Sequence, residues 1–407
     1  MEGFCVLALA ALVSLCSATS EPRPAVDPIE CNTTEFYAGA ALDMINEDRR
    51  EGFVFKPVRV VAASEQHVDS PKYPASTVYY LTIDVVETEC SVLSGKSWQE
   101  CKEPFSFHQM VFGQCKAIIL ISLPWRVNML LNYNCTAGSV PSRVIHRTCP
   151  DCPTLGEITP SIIAKADKLI SEYNTDSNNT RYFKTSHIER MTSQWVVGPS
   201  YFIKFTVKET DCLKTQENVN LSNCNFLKDK EAHVGFCTGS IMTSNIDGKE
   251  YKQISCDIYD QKITKYQDEL EACGYPIGIE VNIPTEDQEK PDLAIATQEK
   301  PLRCGHRHKH IHSHKGHNHK HGSSSEEHTD KKPFVRETRG SVQTFILMNE
   351  SDILPAPFFT QAIPPLPSRA GAIKNFIEFP EVESNLETCP WVKEDLPQIS
   401  RFFQNIK

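Results

Sequence analysis

The sequence predicts an α+β protein made of two tandem copies of one domain, each with one helix on an antiparallel sheet, followed by a largely disordered tail. Three observations indicate this fold class: an early segment with helical periodicity, a series of strand-like segments after it, and a set of cysteines that recurs later in the chain. We therefore expect domains at residues 28–148 and 154–260, a linker at 149–153 and a low-complexity tail at 261–407.

The first copy begins with a predicted helix, Glu35 to Arg50, in which apolar residues recur at helical spacing. Later segments rich in β-branched and aromatic residues, separated by polar, Pro or Gly clusters, are typical of strands: 53–63, 77–88, 105–122 and 127–134. One helix followed by an antiparallel meander is an α+β domain.

A cysteine repeat indicates that this domain occurs twice. The cysteines of the first copy are matched in order by those of the second, at offsets of roughly 122 positions. Flanking sequences agree as well: TVYYLTIDVVETEC (77–90) parallels SYFIKFTVKETDC (200–212), and ALDMINE (41–47) parallels ADKLISE (166–172). The chain is therefore expected to carry a duplicated domain.

The same cysteines predict a disulfide framework. Local closure gives Cys90–Cys101, Cys115–Cys135, Cys212–Cys224 and Cys237–Cys256, and Cys149–Cys152 would close a small ring between the copies. Cys31 and Cys389 are candidates for a long-range clasp, and Cys273 and Cys304 pair only by elimination.

The N-terminus indicates export. Residues 1–20 carry the apolar run and small residues of a secretory signal peptide, and the even number of cysteines outside it fits an oxidising compartment. Asn-X-Ser/Thr sequons predict N-glycosylation at Asn32, Asn134, Asn178, Asn220 and Asn349. We expect a secreted, extracellular glycoprotein.

Charge and motif content exclude several classes. The net charge of −10 argues against a general nucleic-acid binder, and no later apolar run approaches the length of a membrane span. His-Glu-X-X-His, Gly-X-Ser-X-Gly and phosphate-loop patterns do not occur. We expect no catalysis, no required cofactor, and no nucleic-acid or membrane partner.

The linker Cys149-Pro150-Asp151-Cys152-Pro153 is the first candidate site. A three-position disulfide flanked by prolines would make a stiff turn that holds the Asp151 carboxylate away from the chain, where it can enter another protein's cleft. Two other interpretations remain: an interdomain hinge clip, and a Cys-X-X-Cys redox or zinc site.

A histidine tract at 305–321 is another candidate site. Its imidazoles, interleaved with Lys and Arg, would bind zinc, copper or nickel without a fold, and when protonated would attract heparin-like glycans. The alternative is a low-complexity linker with incidental metal affinity. The predicted ligands are His306, His308, His310, His312, His314, His317, His319 and His321.

Several motifs together give the chain a family resemblance. FGQCKAI (112–118), YNCT (133–136), TCPDCP (148–153), SQWVVGPSYF (193–202) and RGSVQ (339–343) resemble the fetuin family of the cystatin superfamily, and within it the fetuin-B branch. The histidine tract departs from that pattern and is similar to tracts of histidine-rich glycoprotein. The resemblance implies two cystatin-like domains.

The resemblance also implies a function. Members of this branch inhibit astacin-type zinc metalloproteases, notably the egg enzyme ovastacin, and so prevent premature hardening of the egg coat and support fertilisation. The linker aspartate, here Asp151, would reach the catalytic zinc, with Cys149, Pro150, Cys152 and Pro153 as its rigid mount.

A hairpin is the implied secondary contact. The residues concerned are Gln194, Trp195, Val196, Val197, Gly198 and Pro199, which match the Gln-X-Val-X-Gly hairpin by which cystatins enter papain-like cysteine proteases. The alternative is that Trp195 packs on its own domain. The first copy has only Gln66-His67-Val68-Asp69-Ser70, without the glycine, and is expected to be inactive against cysteine proteases.

Two rival functions remain: a cysteine-protease inhibitor acting through this hairpin, and a plasma carrier of metals or polyanions acting through the histidine tract.

Overall fold

A computed structural model describes residues 26–68, 75–124, 127–216, 219–228, 232–259, 338–359, 379–380, 386–392 and 396–403. The predicted signal peptide, the Cys273–Cys304 pair and the histidine tract lie outside these residues. Among the residues described, no helix could serve as a transmembrane span.

The first domain is one helix on a long antiparallel sheet. Its elements are β1 (Asp27–Pro28), α1 (Glu35–Asp48), β2 (Phe53–Val68), β3 (Ser76–Ser91), β4 (Val111–Ser122) and β5 (Val127–Ser139). The strands pair in the order β1-β2-β3-β4-β5. Helix α1 buries Ala38, Ala41, Leu42 and Ile45 against the sheet. The predicted α+β class is confirmed.

The predicted strand 105–122 is wrong in its first part. Phe105 is fully exposed, and residues Phe107–Gln109 form a short 3-10 turn closed by hydrogen bonds from Gln109 to Ser106 and from Met110 to Phe107. Strand β4 begins only at Val111. The aromatic residues of this segment favour a strand, but its backbone amides make hydrogen bonds within the turn and not to a neighbouring strand.

A short helix and a linker join the domains. Helix α2 (Ser142–Thr148) follows β5, and β6 (Thr154–Leu155) follows the linker. The second domain then contains α3 (Pro160–Asp176), β7 (Arg181–Trp195), β8 (Pro199–Leu213), β9 (Val234–Thr243) and β10 (Glu250–Tyr259). Its strands pair in the order β10-β9-β8-β7-β6, and α3 packs on this sheet through Ile162, Ala166, Leu169 and Ile170.

An asparagine in each helix shows how the copies correspond. Asn46 of α1 donates to the Phe55 carbonyl at 2.9 Å and accepts from the Phe55 amide at 2.8 Å. Asn174 of α3 makes the same pair of bonds with Phe183, at 2.7 and 2.9 Å. The match of ALDMINE (41–47) with ADKLISE (166–172) instead places Asn46 opposite Ser171. That alignment of the helices is shifted by almost one helical turn.

The end of the chain belongs to the first domain. β11 (Gly340–Phe345) adds to β5 as a parallel strand, with Val342 opposite Cys135, and β12 (Trp391–Val392) pairs with β2. Helix α4 (Pro397–Ser400) follows. Within the predicted low-complexity tail, only short apolar pieces such as 344–348 and 355–366 are expected to dock locally. The structure goes further, because β11 and β12 add strands to the first sheet.

Disulfide bonds hold both copies. The structure contains six of the predicted pairs: Cys31–Cys389, Cys90–Cys101, Cys115–Cys135, Cys149–Cys152, Cys212–Cys224 and Cys237–Cys256. Cys31–Cys389 joins the C-terminal segment to the 3-10 turn that precedes α1, over a sequence separation of 358.

Burial at Asn134 conflicts with the predicted glycan there. The Asn134 side chain is 6% exposed, lies opposite Ser341 of β11, and donates its amide to the Phe358 carbonyl. Asn32, Asn178 and Asn220 are exposed, and Asn349 is half-buried. The docked C-terminal segment occupies the space that a glycan on Asn134 would need.

Charged and aromatic side chains join the two domains. The ring of Phe53 meets that of Phe236 edge-on at 5.5 Å, and Arg190 pairs with Glu87 across the interface. The Glu189 carboxylate accepts the amide of Gly52 at 2.7 Å, while its other oxygen has no partner among the described residues. Burial raises the pKa of Glu189 to about 7, and the amide bond and nearby His187 oppose the rise.

Candidate functional site

The clip, residues Cys149–Pro153, is a tight turn between the domains. The Cys149 amide donates to the Ile145 carbonyl at 2.7 Å and ends α2, and the Cys152 amide donates to the Cys149 carbonyl at 3.1 Å. The Cys149–Cys152 disulfide closes this turn, with the Cα atoms 5.3 Å apart. Asp151 lies at its tip with an exposed side chain. The clip therefore presents one carboxylate to solvent.

Each end of the clip is attached to a different domain. On one side α2 buries Val144 and Ile145 against the first domain, because these are its apolar positions. On the other side Thr154 pairs with Ser193 of β7, and the Gly156 amide donates to the Met191 carbonyl at 3.0 Å. The position of Asp151 is thus fixed by both domains.

The β7–β8 hairpin ends in an apolar tip. Trp195, Val196 and Val197 are 68%, 56% and 41% exposed. The alternative that Trp195 packs on its own domain is therefore wrong for this structure. Exposed aromatic and aliphatic side chains on a fixed turn are suited to filling a pocket of a partner protein.

A neighbouring turn supports the hairpin tip. The amide of Asn245, in the β9–β10 turn, donates to the Val197 carbonyl at 3.1 Å. A Cβ at Gly198 would overlap the backbone carbonyl oxygen of Thr243, so only glycine fits there. This turn also presents Ile246, which is 85% exposed.

Clip and hairpin face one cavity of about 310 Å³. Pro150, Asp151 and Cys152 line it from the clip, and Gln194, Trp195 and Pro199 line it from the hairpin. The structure therefore brings together residues that the sequence assigned to two separate motifs. Val196, Val197 and Gly198 of the hairpin, with Cys149 and Pro153 of the clip, are not in its lining.

Sequence reasoning missed several residues of this region. Ser193, Ser200 and Tyr201 line the cavity next to the predicted hairpin residues, and two further residues come from outside the hairpin. His146 of α2 lines the cavity, and Ile246 lies on the turn next to the hairpin tip. A signal existed for Ile246, since it is a lone apolar residue in the polar stretch Ser244-Asn245-Ile246-Asp247-Gly248. The local sequence contains no signal for His146, because the position of this side chain depends on how α2 docks on the first domain.

The clip has no free thiol for metal or redox-dithiol chemistry, because its two sulfurs are joined to each other. Within the described ranges, only Asp211, Cys212 and Cys224 cluster at metal-ligand distances, and both of those cysteines are disulfide-bonded. The predicted histidine ligands at 306–321 lie outside these ranges.

Known proteins share this architecture. The Cystatin domain family matches residues 25–117 and 156–244. Human fetuin-B is 36% identical over 266 residues, covering 63% of this chain and 66% of the human protein. Bovine fetuin-B is 34% identical, covering 64% of this chain and 68% of the relative. The chain thus spans about two thirds of the length of these relatives.

Two further similarities are to another plasma-protein family and to a solved structure. Rabbit histidine-rich glycoprotein is 32% identical over 60% of this chain and 44% of its own length. The solved structure of mouse fetuin-B in complex with crayfish astacin is similar with a TM-score of 0.54 and 24% identity, over 93% of this chain and 98% of that one. The latter similarity supports the fold.

Proposed function

The chain belongs to the fetuin-B family of cystatin-domain proteins, and on that premise we propose that it is an extracellular inhibitor of astacin-type zinc metalloproteases. One relative, mouse fetuin-B, has a solved structure in complex with crayfish astacin. The six disulfide bonds fit an extracellular protein. In this proposal the chain is a binding protein without catalytic activity of its own.

The observation that carries the proposal is the exposed Asp151 on the disulfide-closed clip. A catalytic zinc keeps one position for water or substrate, and a carboxylate oxygen binds zinc at about 2.0–2.2 Å. Asp151 would occupy that position and displace the water needed for hydrolysis. Because the clip is already ordered, little conformational entropy is lost on binding.

The hairpin would supply the second contact. Trp195 lines the cavity that the hairpin shares with the clip, and Val196 and Val197 are exposed at the same hairpin tip. Their apolar side chains would fill protease pockets near the zinc. Asp151 alone offers one ligand bond, and the hairpin would add most of the buried apolar area.

The finer proposal concerns the target. The resemblance to the fetuin-B branch favours an egg astacin of the ovastacin type, whose restraint would prevent premature hardening of the egg coat and so support fertilisation. The proposed setting is the plasma and other extracellular fluid.

Inhibition of a purified astacin-type protease tests the proposal. The wild-type chain is compared with Asp151→Asn, which removes the carboxylate charge at constant size, and with Glu157→Gln, which changes an exposed acidic residue after the clip. Zinc is kept in excess, because we propose that the histidine tract binds zinc or copper adventitiously. Loss of inhibition in Asp151→Asn alone supports the proposal, whereas equal inhibition by all three chains contradicts it.

The exposed hairpin tip favours a second candidate, inhibition of papain-like cysteine proteases. Trp195→Ala should then abolish inhibition of such a protease while Asp151→Asn leaves it unchanged. Wild-type protein that does not inhibit a cysteine protease would remove this candidate.

A further inference from the structure

Helix α2, which carries the clip, rests on residues from the far end of the chain. The apolar cluster beneath it contains Val144 and Ile145 of α2 and is contacted by Cys152 of the clip. Much of the rest comes from C-terminal residues: Leu347, Leu354, Leu396, Ile399, Phe402 and Phe403. We name residues 396–403 the C-terminal brace.

The C-terminal brace is deeply buried. Ile399 and Phe402 are 0% exposed and Phe403 is 4% exposed. The Phe402 ring stacks on Phe112 of β4, with centroids 5.4 Å apart and planes at 15°, and Phe403 meets Phe112 edge-on at 5.4 Å. Aromatic contacts of this kind fix the brace against the sheet face that also supports α2.

A polar bridge joins the brace to α2 on the outside. Glu350 accepts hydrogen bonds from Arg147 of α2 at 2.8 Å and from Arg401 of the brace at 2.7 Å. Arg143 of α2 donates to Asn349 at 2.7 Å. These contacts are exposed and contribute little energy each, so the buried apolar contacts supply most of the support that the brace gives to α2.

From these contacts we infer that the C-terminal brace is a positioning element for Asp151. It shares one apolar cluster with Val144 and Ile145 of α2, and Cys152 of the clip packs against that cluster, so removal of the brace would reduce the apolar support on one side of the clip. The consequence for inhibition rests on the proposed function, while the effect on the clip does not. A clip that moves more must be ordered on binding, which costs affinity.

A purely structural role makes a different prediction. If the brace only stabilises the first domain, any equally destabilising change in that domain should have the same effect. Leu42 of α1 is a matched control, since it is 0% exposed but packs in the cluster on the α1 side of the sheet.

The experiment compares the full chain, a chain ending at residue 395, Phe402→Ala and Leu42→Ala. The truncated chain retains Cys389, so the Cys31–Cys389 disulfide can still form. Phe402→Ala is the variant to use if the truncated chain does not fold. The inhibition constant against an astacin-type protease is measured, together with hydrogen exchange at the Cys149 and Cys152 amides, which close the clip.

We expect the truncation and Phe402→Ala to weaken inhibition about ten-fold and to speed exchange at these two amides, with exchange in the β8 and β9 strands of the second domain unchanged. Leu42→Ala should lower Tm without either effect. Wild-type exchange in the brace variants, or equal changes in Leu42→Ala, would overturn the inference. If the wild-type chain fails to inhibit, the proposed function fails, and the exchange rates alone decide whether the brace holds the clip.

Discussion

Asp151 and Trp195 line the same cavity, the first carried by the clip and the second by the tip of the β7–β8 hairpin. The link between them is short, because β6 follows the clip directly and pairs with β7 beside the hairpin tip, with Thr154 opposite Ser193. A carboxylate and an indole are thereby held on one continuous surface. This arrangement suits a ligand that combines a metal ion with an adjacent apolar pocket.

Trp195→Ala should weaken inhibition of an astacin-type protease by about ten-fold or more, because the protease pocket that the indole fills would be left empty. Its 68% exposure means that Tm should change little. Phe226→Ala is the control, since Phe226 is an aromatic residue of the same domain, 42% exposed and not in the cavity lining. Equal inhibition constants for the two variants would show that the hairpin makes no contact of importance.

Gly198→Ala should lower the free energy of unfolding by about 1–3 kcal/mol, because its methyl group would overlap the Thr243 carbonyl and displace the hairpin tip. Thermal or denaturant unfolding measures the change. Gly248→Ala is the control for backbone strain without overlap. Gly248 has a φ of +65°, and an added Cβ there would have nothing within 4 Å. A cost at Gly198 no larger than that at Gly248 would argue against the overlap.

Asn134 should carry no N-glycan in the folded protein, although it lies in a sequon, because its side-chain amide is buried beneath the C-terminal segment. Asn178, which is exposed, is the matched site where a glycan has room. Glycopeptide mass spectrometry of the secreted protein measures both. High occupancy at Asn134 would mean that the segment around Phe358 does not dock as described.

Glu189→Gln should stabilise the protein above pH 7 and have little effect near pH 4.5. Burial raises the pKa of Glu189 to about 7, from an ordinary value of 4.5. The folded chain therefore keeps a proton that the unfolded chain loses as pH rises from about 4.5 to 7, so folding becomes less favourable across that window. Gln removes the charge and can still accept the Gly52 amide.

Thermal unfolding at pH 4.5 and pH 8 checks this prediction. Asp167→Asn on the exposed face of α3 is the control for loss of a carboxylate. A Tm difference between Glu189→Gln and wild type that is the same at both pH values would contradict a raised pKa.

The duplicated α+β domain could be predicted from sequence because its signals are local or repeated. Helical periodicity gave α1, whose start at Glu35 agrees with the structure, and the matched cysteines gave the duplication. The helix alignment could not be fixed from sequence, because ALDMINE and ADKLISE match by apolar pattern alone. Asn46 and Asn174 correspond instead by their bonds to the following strand.

The support around the site could not be predicted. β11 pairs with β5 across about two hundred positions, and no local pattern marks which strand edge a distant segment will cover. The same limit hid His146, the C-terminal brace and the burial of Asn134. Asp151 itself was found because two cysteines three positions apart, with prolines, define a turn within one short stretch.

The central claim is that Asp151 binds the zinc of the protease, and a cobalt-substituted astacin-type protease tests it most directly. Cobalt(II) in place of zinc gives a visible absorption band that changes with the ligands of the metal. We expect the wild-type chain to shift this band at one equivalent, and Asp151→Asn to leave it unshifted even at concentrations where it still binds through the hairpin. The same shift with both chains, or a bound wild-type complex with no shift, would contradict direct coordination by Asp151.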